Sequence, residues 1–183
     1  VQAGGHAVFD ALRSDTGLRP LEAAWLGSAE APQLEAALLK LIEAYSAWIV
    51  KEEKRVDGLP SEHRKAAREN LVRCEAVRDR MKRGAERLAQ DELLRISFQL
   101  ANRAIQLQHE WNPERKGSGP LTWRPFQLGV VLLAAAFVCD DRDTDRGVMD
   151  LLWFPTGGGK TEAYLALIAM LAFHRRLSSD APD

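Results

Sequence analysis

Residues 154 to 162 read Phe-Pro-Thr-Gly-Gly-Gly-Lys-Thr-Glu, three consecutive glycines followed at once by a lysine and a hydroxyl. An apolar run (Val148, Leu151, Leu152, Trp153, Phe154) precedes them and a helical pattern follows, so the local order predicted is strand, loop, helix. Glycines let the backbone curl until its N–H groups point inward, forming a concave nest of donors. The following helix would aim its positive N-terminal end at the same place. A polyphosphate suits such a nest. Lys160 would then reach the β- and γ-phosphates and act as the catalytic cation, and the hydroxyl of Thr161 would hold Mg²⁺. Thr156, Gly157, Gly158, Gly159 and Glu162 complete the loop as a candidate cofactor-binding set.

Upstream stands Trp123-Arg124-Pro125-Phe126-Gln127. Pro125 suits the first turn of a helix, where its missing N–H leaves no hydrogen bond unmade. The strict phosphate-loop pattern asks for glycine where Phe154 stands. Superfamily 2 helicases relax that place and write Pro-Thr-Gly-x-Gly-Lys-Thr, which Pro155 to Thr161 matches. Many of those motors also open their first motor domain with Arg-Pro-aromatic-Gln. By that resemblance Arg124 and Gln127 belong to the nucleotide site, and the Gln127 amide reads adenine, donating to N7 and accepting from N6. The step of 33 residues from Gln127 to Lys160 is longer than in compact motors, with the charged stretch around residues 140–147 as the extra length.

The resemblance narrows through residues 123–129 (Trp-Arg-Pro-Phe-Gln-Leu-Gly), 150–165 and Arg175-Arg176-Leu177, with Phe98 to Ala104 adding a stretch before the motor. Over residues 98–177 the chain resembles the DrmA family, the large helicases of DISARM anti-phage systems. That resemblance implies an α/β fold, with a helical N-terminal region leading into a RecA-like motor domain. It also implies ATP and Mg²⁺ as cofactors, DNA with a single-stranded portion as the track, and a partner subunit from the same defence system. Gly-Lys-Thr-Glu-Ala also occurs in Lhr- and Ski2-like helicases, so repair or RNA metabolism stays an alternative, as does an ATP-binding scaffold that does not translocate. The acidic metal-binding strand and arginine fingers of such motors lie downstream of the phosphate loop. Only 22 residues follow Thr161, so the expectation is a piece of a longer protein, inactive alone.

Composition is that of an ordinary globular chain: 183 residues, 46% apolar, 28% charged, net charge −1. No overall basic field advertises nucleic acid. Two cysteines, Cys74 and Cys139, make no disulfide framework or metal motif, which points to a reducing cytoplasm. No apolar start resembles a signal peptide, and the run Val130 to Val138 is half of what a bilayer needs, so it reads as a core helix.

Helical periodicity organises the rest. Residues 1–30 read as short helices or loop. From Pro32, Leu34, Leu38, Leu41, Ile42, Tyr45, Trp48 and Ile49 recur on one face, the aromatics as core. Asp57-Gly58-Leu59-Pro60 breaks that helix, and Ser61 is expected to cap a second lined by Ala67, Leu71, Cys74, Val77, Met81, Ala85 and Leu88. Together they predict an antiparallel hairpin over 32–89. Asp91 is expected to cap a third helix, with Leu94, Phe98, Ala101, Ile105 and then Leu107 or Gln108 inward. The turn-rich stretch 111–120 separates the helical region (1–115) from the motor portion (120–183).

The second helix carries nine cations (Arg64, Lys65, Arg68, Arg73, Arg78, Arg80, Lys82, Arg83, Arg87) among five acids from Glu62 to Glu86. Spacings of three and four predict a solvated or partner-facing helix laced with local ion pairs, and not the nucleic-acid track. Asp140 to Gly147 has alternating acids but no Glu at the twelfth place of a calcium loop, and reads as a solvated connection. His6, His63, His109 and His174 share no ligand spacing.

Overall fold

In the computed structural model, residues 9–14, 19–113, 117, 119–140, 142–150 and 159–178 are described. The expected strand at 151–154 and loop residues Thr156, Gly157 and Gly158 lie outside them. Among the described residues seven α-helices form: α1 Asp10–Ser14, α2 Ala23–Leu26, α3 Ala31–Val56, α4 Ser61–Gln90, α5 Glu92–Trp111, α6 Pro125–Val138 and α7 Lys160–Ser178. A 3-10 turn spans Thr144–Gly147. The chain is mostly helical, and among the described residues no strand forms; one isolated antiparallel bridge joins Glu22 and Thr122. Val148, expected to open a strand, is exposed and outside regular structure. No helix among the described residues is long and apolar enough to cross a membrane.

α3 and α4 pack along each other across the turn at 57–60, pinned at its mouth by Arg68 and Asp57, 3.3 Å apart. Ser61 does not cap α4. Pro60 occupies the N-cap place and Ser61 is the first helical residue, with no side-chain cap bond. Proline's restricted backbone already sets the extended entry to the helix, so the hydroxyl is not needed there. Asp91 does cap α5: its carboxylate accepts from the Leu94 N–H at 2.9 Å. Tyr45 and Trp48 are half-buried and stacked, ring centroids 5.5 Å apart, at the edge of the core. The Tyr45 hydroxyl meets Cys74, and burial pushes its ionisation well above the ordinary tyrosine range.

The core is one cluster to which α3, α4, α5, α6 and α7 all contribute, from Leu34, Leu38 and Leu41 through Leu88, Leu94 and Phe98 to Leu128, Leu132 and Met170. Each such side chain is worth about 1.5–3 kcal/mol when fully buried. The outer half of α4 contributes little to it: Ala67, Leu71, Cys74 and Val77 are half-buried, whereas Met81, Ala85 and Leu88 are buried. On α5 the inward polar residue is Gln106; Leu107 and Gln108 face out.

α4 and α6 touch backbone to backbone. A Cβ at Gly84 would lie 2.0 Å from the Leu132 carbonyl oxygen. Replacing a helical glycine by alanine ordinarily stabilises by about 0.5–1 kcal/mol. Here the sign should reverse. Gly84→Ala is expected to destabilise by about 2–3 kcal/mol through overpacking against an immovable helix. Gly129→Ala, whose Cβ would meet only the flexible Met81 tip at 3.5 Å, should be neutral or stabilising. Urea unfolding of both variants checks the pair; two shifts of the same sign would contradict the packing.

Candidate phosphate-binding site

The site begins at a buried polar ladder on α5. Asn102 accepts from the Trp123 indole N–H at 2.8 Å, and its own amide donates to the Phe98 carbonyl at 2.9 Å. One turn on, the Gln106 oxygen accepts from the Leu121 N–H at 2.9 Å, and its amide donates to Glu110 at 2.7 Å. On its other side the same segment pairs with α2's approach: Trp123 N–H donates to Leu21 at 2.7 Å, and Ala23 N–H to Leu121 at 3.0 Å. Residues 121–123 are thereby seated between the two, with Trp123 buried. The sequence signal for this ladder was Phe98 to Ala104, which contains Asn102 without revealing its partner.

Trp123 delivers the chain to α6. Arg124 is the N-cap, Pro125 the first helical residue. Gln127, only 5% exposed, turns its amide back: Oε1 accepts from the Arg124 N–H at 2.8 Å, and Nε2 donates to the Gly159 carbonyl at 2.6 Å. The two motifs, 32 residues apart, therefore meet. Gly159 has φ +81°, a backbone region L side chains rarely adopt, and α7 starts at the next residue, Lys160. A Cβ on Gly159 would lie 2.7 Å from Gln127 Nε2, 3.3 Å from Glu162 Oε2 and 3.7 Å from Arg124 Nη1. Gln127, Arg124 and Glu162 thus converge around one glycine.

Lys160 is half-buried and Thr161 exposed, both in the first turn of a 19-residue helix whose orphan N–H groups favour an anion. Thr161 and Glu162 also line a cleft of about 420 Å³, with Leu165, Leu121 and the end of α5: Ile105, Gln108, His109, Asn112 and the open Trp111. His109 is held by the Gly119 carbonyl, 3.2 Å from Nε2.

The acidic connection is largely exposed, as expected of a solvated loop, but some of its acids are tied to α4. Arg80, Arg83 and Arg87 stand at three- and four-residue steps on α4 and reach across to it. Arg80 bonds Asp150 and Asp145, Arg83 bonds Asp145, and Arg87 lies 3.5 Å from Asp140. Arg80 is therefore largely withdrawn from solvent, whereas Arg83 stays exposed while it pairs with Asp145. Opposite charges far apart in sequence found each other across the α4–α6 crossing, which local spacing cannot show. Within the helix the local pairs are sparser among the described residues, with Lys82 and Glu86 at 3.9 Å.

No family model matches this sequence. Across an alignment 154 residues long that covers 76% of the chain, the sequence is 36% identical to the DISARM protein DrmA of Bacillus paralicheniformis. The chain is a relative of DrmA. It matches about 13% of that protein's length, so the site sits within a small part of the DrmA-like whole.

Gly159→Ala should cost about 1–2 kcal/mol for the left-handed backbone alone, and more while Gln127 occupies the Cβ position. Adding Gln127→Ala should relieve the steric part. Unfolding curves of the two single variants and the double read this directly; a Gly159→Ala cost equal in both backgrounds would refute the contact.

Proposed function

We propose that this DrmA-like chain supplies the ATP-binding entrance of a DNA helicase or translocase that acts in anti-phage defence. The observation carrying the reading is the bond from Gln127 to Gly159, which supports the two motifs working as one site. A RecA-like first motor domain of the superfamily 2 kind is the fold it belongs to.

The residues present fit the cofactor. Around Gly159 the polar side chains of Gln127, Glu162 and Arg124 gather at the start of a long helix whose first turn holds a lysine and a threonine. Bound ATP with Mg²⁺ supplies a γ-phosphoryl group whose hydrolysis releases the energy for translocation. Gly159 would offer a backbone donor and the α7 N-terminus its dipole, with Thr156, Gly157 and Gly158 proposed to join them from outside the described residues. Lys160 would neutralise charge on the bound phosphates, and Thr161 would help to hold Mg²⁺. Gln127 has one amide hydrogen and one oxygen lone pair left after its bonds to Gly159 and Arg124, the complement an adenine edge needs. The cleft beside Thr161 and Glu162 offers room beyond the phosphates, within the usual size of small-ligand sites at about 300–1,000 Å³.

DNA with a single-stranded portion is the track, a subunit of the same defence system is the partner, and the cytoplasm is the setting. α4 is a poor track: Arg80, Arg83 and Arg87 face the chain's own aspartates and not a phosphate backbone. Similarity to DrmA favours defence over an Lhr- or Ski2-like role.

Lys160→Ala in the intact protein should abolish ATP hydrolysis, with the circular dichroism spectrum unchanged, because a positioned cation at developing phosphate charge is worth several kcal/mol of barrier. Turnover within about twofold of wild type would defeat the reading.

A further inference from the structure

From Asn102 on α5 to the start of α7, every link is a contact between described residues. Asn102, 3% exposed, accepts from the Trp123 indole N–H at 2.8 Å, and its amide nitrogen donates to the Phe98 carbonyl at 2.9 Å. Those two bonds fix which end of the amide faces the ring. Trp123 is as deeply buried, and the next residue, Arg124, is the N-cap of α6. The Arg124 N–H binds Gln127 Oε1 at 2.8 Å, and Gln127 Nε2 binds the Gly159 carbonyl at 2.6 Å, one residue before α7 begins. Side chains thus join α5 to α7 through the cap of α6. An apolar pair of the same shape could fill the space between Asn102 and Trp123 at little cost in stability. What such a pair lacks is direction. An apolar contact lets a ring slide or turn, whereas a buried donor and acceptor hold one register. Here the register held is that of the residue before the cap that orients Gln127.

We propose that Asn102 is a positioning residue for the base-reading end of the nucleotide site, acting through the Trp123 indole and the α6 cap on the Gln127 amide. The inference rests on the ATP-binding reading above, and within it on Gln127 as the group that reads the base. It predicts a loss of selectivity beyond any loss of affinity. A loosened Gly159 weakens ATP and GTP alike, because their phosphates are the same. A displaced Gln127 amide costs ATP alone, since guanine presents an oxygen where adenine presents an amine.

In the intact protein, Asn102→Leu and Trp123→Phe should each narrow the preference for ATP over GTP about fivefold, read as the ratio of Kd values for fluorescent analogues of the two. Each single variant leaves one buried polar group without its partner, so both should also lower the urea midpoint. The double variant, Asn102→Leu with Trp123→Phe, removes donor and acceptor together. Its midpoint should return toward wild type while its ATP preference stays narrowed. That uncoupling separates positioning from packing, and it can be read even where a single variant fails to fold. A preference within about twofold of wild type in the double variant overturns the proposal, whether or not both nucleotides have weakened. So does a double variant no more stable than either single. If wild type prefers ATP and Gln127→Ala does not, such a result sinks the role of Asn102 alone. If Gln127→Ala keeps the wild-type preference, or wild type has none, base reading by Gln127 fails and takes this proposal with it. If wild type binds neither nucleotide, the ATP reading itself fails, and the proposal with it.

Discussion

The crossing of α4 over α6 at Gly84 and Leu132 decides where the rest of the molecule can be. Two helices normally pack with axes about 8–10 Å apart, the separation depending on the side chains between them. Here one helix offers no side chain at all, and its Cα meets a carbonyl of the other. The gain is proximity: Arg80, Arg83 and Arg87 on α4 reach acids on the connection that leaves α6. With a larger residue at 84 the helices would separate, and Arg80 would lose its two carboxylates before the core lost much apolar contact. The glycine thus serves the charged clamp as much as the packing.

A second support comes from the opposite side. Asn102 and Gln106 are buried on α5, and burying an amide is costly unless its bonds are made. Each accepts from the 121–123 segment and donates within α5. Since the network is satisfied, it specifies one register for Trp123, and Trp123 specifies where Arg124 and Pro125 start α6. Gln127 then has its position relative to Gly159 set from α5, while Asp150 has its position set from α4.

What the sequence disclosed follows the range of the interaction responsible. Helices α3 to α5 announce themselves through apolar spacing, α6 through a continuous apolar run, and Asp91 and Pro125 through the local chemistry of helix starts. Ser61 misled because Pro60 beside it takes the cap position, a competition between neighbours. On α5 the inward residue past Ile105 is Gln106, a polar side chain that an apolar pattern passes over. Arg80 with Asp150, 70 residues apart, has no local signature: its charge matches nearby acids equally well. Gly84 reads only as a weak spot in a helix until α6 is placed against it. Of the candidate site, Gln127, Gly159 and the α7 start come together in space, while Thr156, Gly157 and Gly158 lie outside the described residues.

Gln127 shows why one side chain can serve both architecture and chemistry. A primary amide carries two hydrogens and two lone pairs, and the fold uses one of each: a lone pair for the Arg124 N–H and a hydrogen for the Gly159 carbonyl. Those two bonds lock the amide's orientation, because exchanging oxygen and nitrogen would set donor against donor and acceptor against acceptor. The unused hydrogen therefore stays on the nitrogen that bonds Gly159, and the unused lone pair on the oxygen that bonds Arg124. A carboxylate could not do this, since it would oppose the Gly159 carbonyl with negative charge. A shorter Asn could not span from α6 to Gly159 while still meeting Arg124. Glutamine is thus required by the fold before any base is present, and under the proposed reading the recognition of adenine uses what the fold leaves over.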